Sequence, residues 1–99
     1  MKTPSNKRRR VHLTIKGYVQ GVGFRFFTLQ NGTQLRLNGW VRNKFNGNVE
    51  VLAEGSEKDL YALIQEIRRG PPSAEVQDVE IAWEEPKDDL PPFTVLANG

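Results

Sequence analysis

Gly17, Gly21 and Gly23 lie close together in the chain, and Arg25 follows two positions after the last of them. Glycine admits positive φ and lets the backbone approach a ligand closely. Between a strand and a helix, such a run turns successive N–H groups toward one point, and the helix start adds its dipole. The chemistry this could do is anion binding by backbone. Arg25 stands at the far edge of the run, where a guanidinium can fork onto two oxygens of a phosphate or carboxylate. A short glycine run on its own is more often a plain connection. An arginine on its own is more often a salt-bridge partner, so the weight must come from the rest of the chain.

Periodicity shows which elements would hold these groups. Val11, Leu13 and Ile15 alternate with His12, Thr14 and Lys16, a strand with one buried face that leads into the glycines. Residues 24–36 carry two signals. Phe24, Thr28, Asn31 or Gly32, and Leu35 recur at helical spacing, whereas Asn31-Gly32 is a hairpin dipeptide and Phe26, Phe27 and Thr28 favour strands. Glycine inside a helix costs about 1 kcal/mol relative to alanine, so the helix leads by little.

Residues 38–55 read more plainly. The segments 39–45 and 48–53 flank Asn46-Gly47, which predicts a two-residue hairpin, and Asn43 falls near the end of its first strand. Ser56-Glu57-Lys58-Asp59 resembles a capping box with Asp in the usual Glu position, and Leu60, Leu63, Ile64 and Ile67 then mark one helix face. Gly70-Pro71-Pro72 stops that helix. Val79, Ile81 and Trp83 alternate with Asp78, Glu80, Ala82 and Glu84 in another strand. Residues 86–92 form a loop, and Phe93 to Leu96 a short last strand. With 24–36 helical, the order is βαββαβ plus a terminal strand. The fold class is α+β, a ferredoxin-like two-layer α/β sandwich with an antiparallel sheet. That plan hosts enzymes, RNA binders and regulatory modules alike, so function rests on the side chains it carries.

Composition narrows the classes. The 99 residues suit one domain with a modest core, and the chain shows no apolar run of membrane-spanning length and no signal-peptide pattern. The sequence has no cysteine, which excludes disulfides and thiol chemistry and fits a reducing, cytoplasmic setting. The net charge of +2 conceals a division, because five of the 14 cationic residues precede Val11 and all 12 acidic residues follow it. The body is therefore acidic. Residues 1–9 are expected to be a basic, disordered tail and residues 10–99 one domain. An RNA-binding module of this plan needs a basic face and aromatics on its central strands, and strand 11–16 offers no aromatic.

Gly-Tyr-Val-Gln-Gly-Val-Gly-Phe-Arg at 17–25, with Gly-Trp-Val-Arg-Asn at 39–43 and Gly47-Asn48-Val49-Glu50 after it, resembles the acylphosphatase family. The likeness runs from about Val11 to Phe93, and the two motifs at this separation are far more specific than either alone. The resemblance implies a helix at 24–36. It implies hydrolysis of the mixed anhydride of a carboxylic and a phosphoric acid, giving carboxylate and inorganic phosphate, with no metal or other cofactor. It implies that the backbone of Gln20, Gly21, Val22, Gly23 and Phe24 holds the phosphate of a small acyl phosphate. Arg25 and Asn43 are the implied catalytic residues. Phosphate-like anions are expected as product or inhibitor. A monomer without a nucleic-acid partner, a membrane partner or a covalent intermediate is also expected.

The implied chemistry is physically sound. An acyl phosphate is already activated, so positioning and charge stabilisation can carry the reaction. Asn43 offers both a donor and an acceptor and could hold a water in line with phosphorus. No side chain is an evident strong base, which leaves the substrate's own phosphate to take the proton. Arg42 should face away from Asn43 on its strand, with Trp40 beside it as a packing residue. His12, the only histidine, reads as a half-exposed strand residue. Lys16 and Lys44 could add a salt-screened attractive field. The family usually has alanine at position 32 and glycine at 36, so Gly32→Ala is expected to stabilise the fold by up to about 1 kcal/mol. The rival reading is an anion-binding module without turnover, like the acylphosphatase-like domain of carbamoyl-phosphate-handling maturation proteins. Asn43 tilts the choice toward catalysis.

Overall fold

The strand expected at 11–16 is longer than its apolar alternation. In a computed structural model, which describes residues 6–99, β1 runs Arg8–Tyr18. It is followed by α1 (Phe24–Gln34), β2 (Asn38–Asn43), β3 (Val49–Ser56), α2 (Glu57–Arg69), β4 (Glu75–Glu84) and β5 (Thr94–Val95). The expected tail falls partly on residues 1–5, outside the described residues. Arg8 and Arg9 stand in β1, where acids on neighbouring segments take up their charge. Arg8 reaches Glu54 at 3.4 Å and Asp88 at 3.2 Å, and Arg9 reaches Glu57 at 3.0 Å while lying 4.4 Å from the centre of the Trp83 ring.

The strands lie in the order β4-β1-β3-β2-β5. Val11, Leu13 and Ile15 of β1, Val49, Val51 and Ala53 of β3, and Val41 of β2 turn to one face and are buried. Both helices pack there. α2 contributes Leu60, Leu63, Ile64 and Ile67, and Ser56 caps it by accepting a hydrogen bond from the Asp59 N–H at 3.2 Å. Among the described residues, no helix is long and apolar enough to cross a membrane.

The sheet is mixed, where an antiparallel one was expected. β5 pairs with β2 in parallel, Trp40 with Thr94 and Val41 with Val95. The cause is the path of residues 85–93. β4 ends beside Arg10, and the next segment crosses the sheet along a row formed by Glu84, Arg10, Glu54 and Asn38. It stays at the end of the sheet where β2 begins, so the strand that follows can only run the same way as β2. The crossing is tied down at each step. The Glu54 carboxylate accepts hydrogen bonds from the N–H groups of Lys87 and Asp88, both at 2.9 Å. Asn38 donates to the Leu90 carbonyl at 3.1 Å, and the Gly39 N–H to the Pro91 carbonyl at 2.8 Å.

α1 resolves the ambiguity at 24–36. Phe24, Thr28 and Gly32 form its buried line, four residues apart. Asn31-Gly32 lies inside the helix and makes no hairpin. The helix closes when the Leu37 N–H reaches the Gly32 carbonyl at 2.9 Å and the Arg36 N–H reaches that of Thr33 at 3.0 Å. Arg36 takes the left-handed conformation this closure requires, with φ of 57°.

Gly32 has a packing reason that its neighbours in sequence do not disclose. A Cβ added there would lie 2.6 Å from two ring carbons of Phe93, which is itself buried. The stabilisation expected of Gly32→Ala is therefore reversed. The overlap costs about 1–3 kcal/mol and outweighs the gain of about 1 kcal/mol in helix propensity. Gly32→Ala should lower the urea midpoint, and Phe93→Leu in the same chain should restore part of the loss. A midpoint raised by Gly32→Ala alone would show that the Phe93 ring moves aside freely.

Candidate active site

β1 delivers the chain to Tyr18, and α1 takes it up at Phe24. Val19 and Phe24 are buried and anchor the two ends of the loop between them. Gly21 and Gly23 within it have φ of 72° and 79°, a region that side-chain-bearing residues rarely enter, and a Cβ on either would meet nothing within 4 Å. What requires glycine there is the backbone angle, not crowding. Gly17 differs. It sits at a β-bulge between β1 and β4, and a Cβ on it would lie 2.1 Å from the Glu75 carbonyl oxygen. It therefore shapes the approach to the loop.

α1 starts without a side-chain cap and without an acid in its first turn. Its earliest intrahelical bond at this end runs from the Phe27 N–H to the Gly23 carbonyl at 3.0 Å. The N–H groups before Phe27 thus point out of the helix start, where the dipole favours an anion. Arg25 stands in this turn. Its guanidinium donates to Asn98 Oδ1 at 3.3 Å. Among the described residues it forms no ion pair, so its charge is held in place without being neutralised.

Asn43 closes the other side. It ends β2 on the helix-facing side of the sheet, with Arg42 turned to the open face as expected. Its side chain is 7% exposed, yet its Oδ1 has no hydrogen-bond partner. An unpartnered buried carbonyl costs about 1–3 kcal/mol. Gly21, Gly23, Arg25 and Asn43 line one cleft of about 300 Å³, together with Phe26 and Val95.

Two residues of the loop, whose backbone is the expected phosphate cradle, turn their side chains elsewhere. Val22 packs against the core. The Gln20 side chain turns away from the cleft, and its Nε2 donates to the carbonyls of Lys44 and Asn48 at 2.7 and 2.8 Å. It thereby fastens the glycine loop to the β2–β3 connection. That connection spans residues 44–48, longer than the two-residue turn expected, because the Lys44 N–H bonds to Asn48 O and closes a wider loop. Gln20→Ala should lower turnover about tenfold with little change in melting temperature, since a loop held less rigidly loses positioning. Steady-state kinetics beside thermal unfolding would check this, and unaltered kinetics would count against a positioning role.

His12 is on the open face, its Nε2 2.6 Å from Glu50 Oε2. Burial pushes the Glu50 carboxyl up, but its hydrogen bonds to His12 and Arg42 outweigh that and hold it below the usual carboxylate range. Lys16 bonds to Glu80 at 3.1 Å and Lys44 approaches Glu50 at 3.6 Å, both away from the cleft. Each lysine is paired with a carboxylate, which offsets the field suggested for it.

The family model for acylphosphatase matches residues 11–95. The chain belongs to the acylphosphatase family. An acylphosphatase of Moorella thermoacetica is 50% identical over 78 residues, 79% of this chain and 84% of that protein. The crystal structure of acylphosphatase from Bacillus subtilis has a TM-score of 0.86 at 32% identity, over 89% of this chain and 98% of that one. Full-length HypF, solved in a phosphate- and nucleotide-bound form, gives a TM-score of 0.83 at 29% identity, over 98% of this chain and 13% of its own. Acylphosphatases are enzymes, acid-anhydride hydrolases, and this chain is one of them by family. Asn98 carries no local signal that could have marked it. It lies beyond the last strand, in a segment that continues beside β2 through bonds from Leu96 N–H to Val41 O and from Gly99 N–H to Asn43 O, both 2.9 Å.

Proposed function

We propose that this acylphosphatase-family chain hydrolyses small acyl phosphates by direct attack of water on phosphorus, with no metal and no phosphorylated enzyme. The backbone of residues 20–24 and the guanidinium of Arg25 hold the phosphoryl oxygens and take up their charge. Asn43 Oδ1 accepts a hydrogen bond from the attacking water and aims its oxygen at phosphorus. The new P–O bond forms as the bond from phosphorus to the acyl oxygen breaks. The carboxylate leaves with that electron pair, and the water's proton passes to a phosphate oxygen. Neither a carboxylate nor an imidazole is among the residues lining the cleft, which suits a route that needs no protein base. The form proposed is a cytoplasmic monomer.

The observation that carries this reading is the buried, unpartnered Oδ1 of Asn43 in the same cleft as an unneutralised Arg25. A free acceptor beside the anion site is what a water-orienting role requires. The test is phosphate release from benzoyl phosphate with a chelator present, for wild type, Arg25→Ala and Asn43→Ala. Turnover in ¹⁸O-labelled water should place the label in phosphate and show no burst of carboxylate. The rate should be flat near neutral pH. Phosphate binding that depends on Arg25 without turnover in a folded wild type would instead favour the anion-binding module.

A further inference from the structure

Arg25 and Asn43 are the polar side chains of the cleft, and the others that line it, Val19, Phe24, Phe26, Leu29 and Val95, are apolar. Val19 and Phe24 belong to the core, but Phe26 and Val95 do not. Phe26 is 62% exposed and Val95 38% exposed. A phenyl ring left in water in the first turn of a helix, next to the arginine assigned to the phosphate, contributes little to folding. We propose that Phe26 and Val95 form the platform for the acyl group, so that the preferred substrates carry an uncharged, apolar acyl group, aromatic above all.

This inference rests on the assignment of the phosphate to the glycine loop and Arg25. With the phosphoryl group there, the acyl carbon must occupy the remainder of the cleft, and its remaining exposed side chains are these two. A flat apolar acyl group laid on Phe26 removes apolar surface of both partners from water, and ring-on-ring contact adds to that. A second negative charge on the acyl group finds no partner. Arg25 is committed to the phosphate, while Lys16 and Lys44 are turned to Glu80 and Glu50 away from the cleft.

The experiment compares kcat/KM for benzoyl phosphate and acetyl phosphate, each divided by its uncatalysed rate constant. Wild type should favour the benzoyl compound at least tenfold, and Phe26→Ala should lower that ratio roughly tenfold, the scale of an apolar pocket contact. Val95→Ala should lower it less, Phe26→Leu should fall between Phe26→Ala and wild type, and Phe45→Ala, exposed but outside the cleft, should leave it unmoved. Inhibition by inorganic phosphate, which lacks an acyl group, reports whether the anion site survives each substitution. An equal loss on both substrates, or a lost phosphate inhibition in Phe26→Ala, would mark Phe26 as structural and overturn the assignment. Turnover of both substrates with an unmoved ratio overturns this inference alone. No turnover of either by a folded wild type overturns the hydrolase reading with it.

Discussion

Arg25→Ala lowers kcat/KM for acyl-phosphate hydrolysis by roughly a thousandfold or more. A guanidinium placed on a transferring phosphoryl group is worth about 10³–10⁵ in rate. Arg25→Lys keeps the charge but loses the planar fork, so it should recover little of the activity. Neither change should unfold the protein. Arg25 holds only the Asn98 side chain, and the effect on stability should stay within about 0.5 kcal/mol. Asn43→Ala should act differently. Its loss should fall on kcat, by about 10²–10³, the scale of one lost transition-state hydrogen bond. KM should change little if Asn43 holds the water, as proposed, and not the substrate. Its removal also deletes an acceptor that was unpartnered, so it should cost no stability through that atom. Steady-state kinetics with urea unfolding of each variant would check all of this. An Arg25→Ala enzyme within tenfold of wild type would sink the assignment.

Glu54→Ala should cost about 3–4 kcal/mol, the loss typical of breaking a buried ion pair from one side. Glu54 is 1% exposed. Its carboxylate accepts from Arg10 Nε at 3.0 Å and from the Lys87 and Asp88 N–H groups. Arg10, also buried, is left with exposed Asp89 as its partner when Glu54 goes. The same carboxyl makes stability depend on pH. Burial pushes it up, but the bonds from Lys87, Arg10 and Asp88 outweigh burial and hold it below the ordinary value of about 4.3. A depressed carboxyl stabilises fully above its unfolded-state pKa and loses that contribution as pH falls through the folded one. The stability of wild type should therefore drop on acidification below about pH 4.3. Glu54→Gln, already weakened at pH 7, should drop less steeply, and the two urea-derived curves should converge. Parallel curves would mean that other carboxyls govern acid unfolding.

The fold was legible where period and punctuation agreed. β1, the β2–β3 pair, α2 with its Ser56 cap, and β4 were each marked by their residue period. α1 was only faintly legible in its own residues, and the family likeness strengthened the reading. Its buried line contains a threonine and a glycine, so hydrophobicity says little there, and Gly32 answers to Phe93 some sixty residues away. The start of β1 was hidden for a related reason. Arg8, Arg9 and Arg10 look like a solvated charge run until the acids of β3, α2 and the 85–93 crossing are brought beside them. The parallel placement of β5 depends on that crossing and not on any residue of β5. At the site, the loop, Arg25 and Asn43 were legible as residue types, and their meeting in one cleft required the fold. The Gln20 tether and the Asn98 contact were not legible, because polar side chains at those places have no local pattern.

β4 forms one edge of the sheet for ten residues, and Glu75, Asp78, Glu80 and Glu84 along it are exposed. A long strand with a free edge is the natural template for another chain to pair with. Two copies meeting there would bring like charges together, so near neutral pH the edge repels its own kind. The other edge is shielded by β5, which covers β2 and is delivered there by the crossing that Glu54 fastens. The two edges are thus guarded by different means, charge along β4 and a covering strand along β2. Loss of the Glu54 carboxylate, which fastens the crossing, is thus the change that would bare the β2 edge to such pairing.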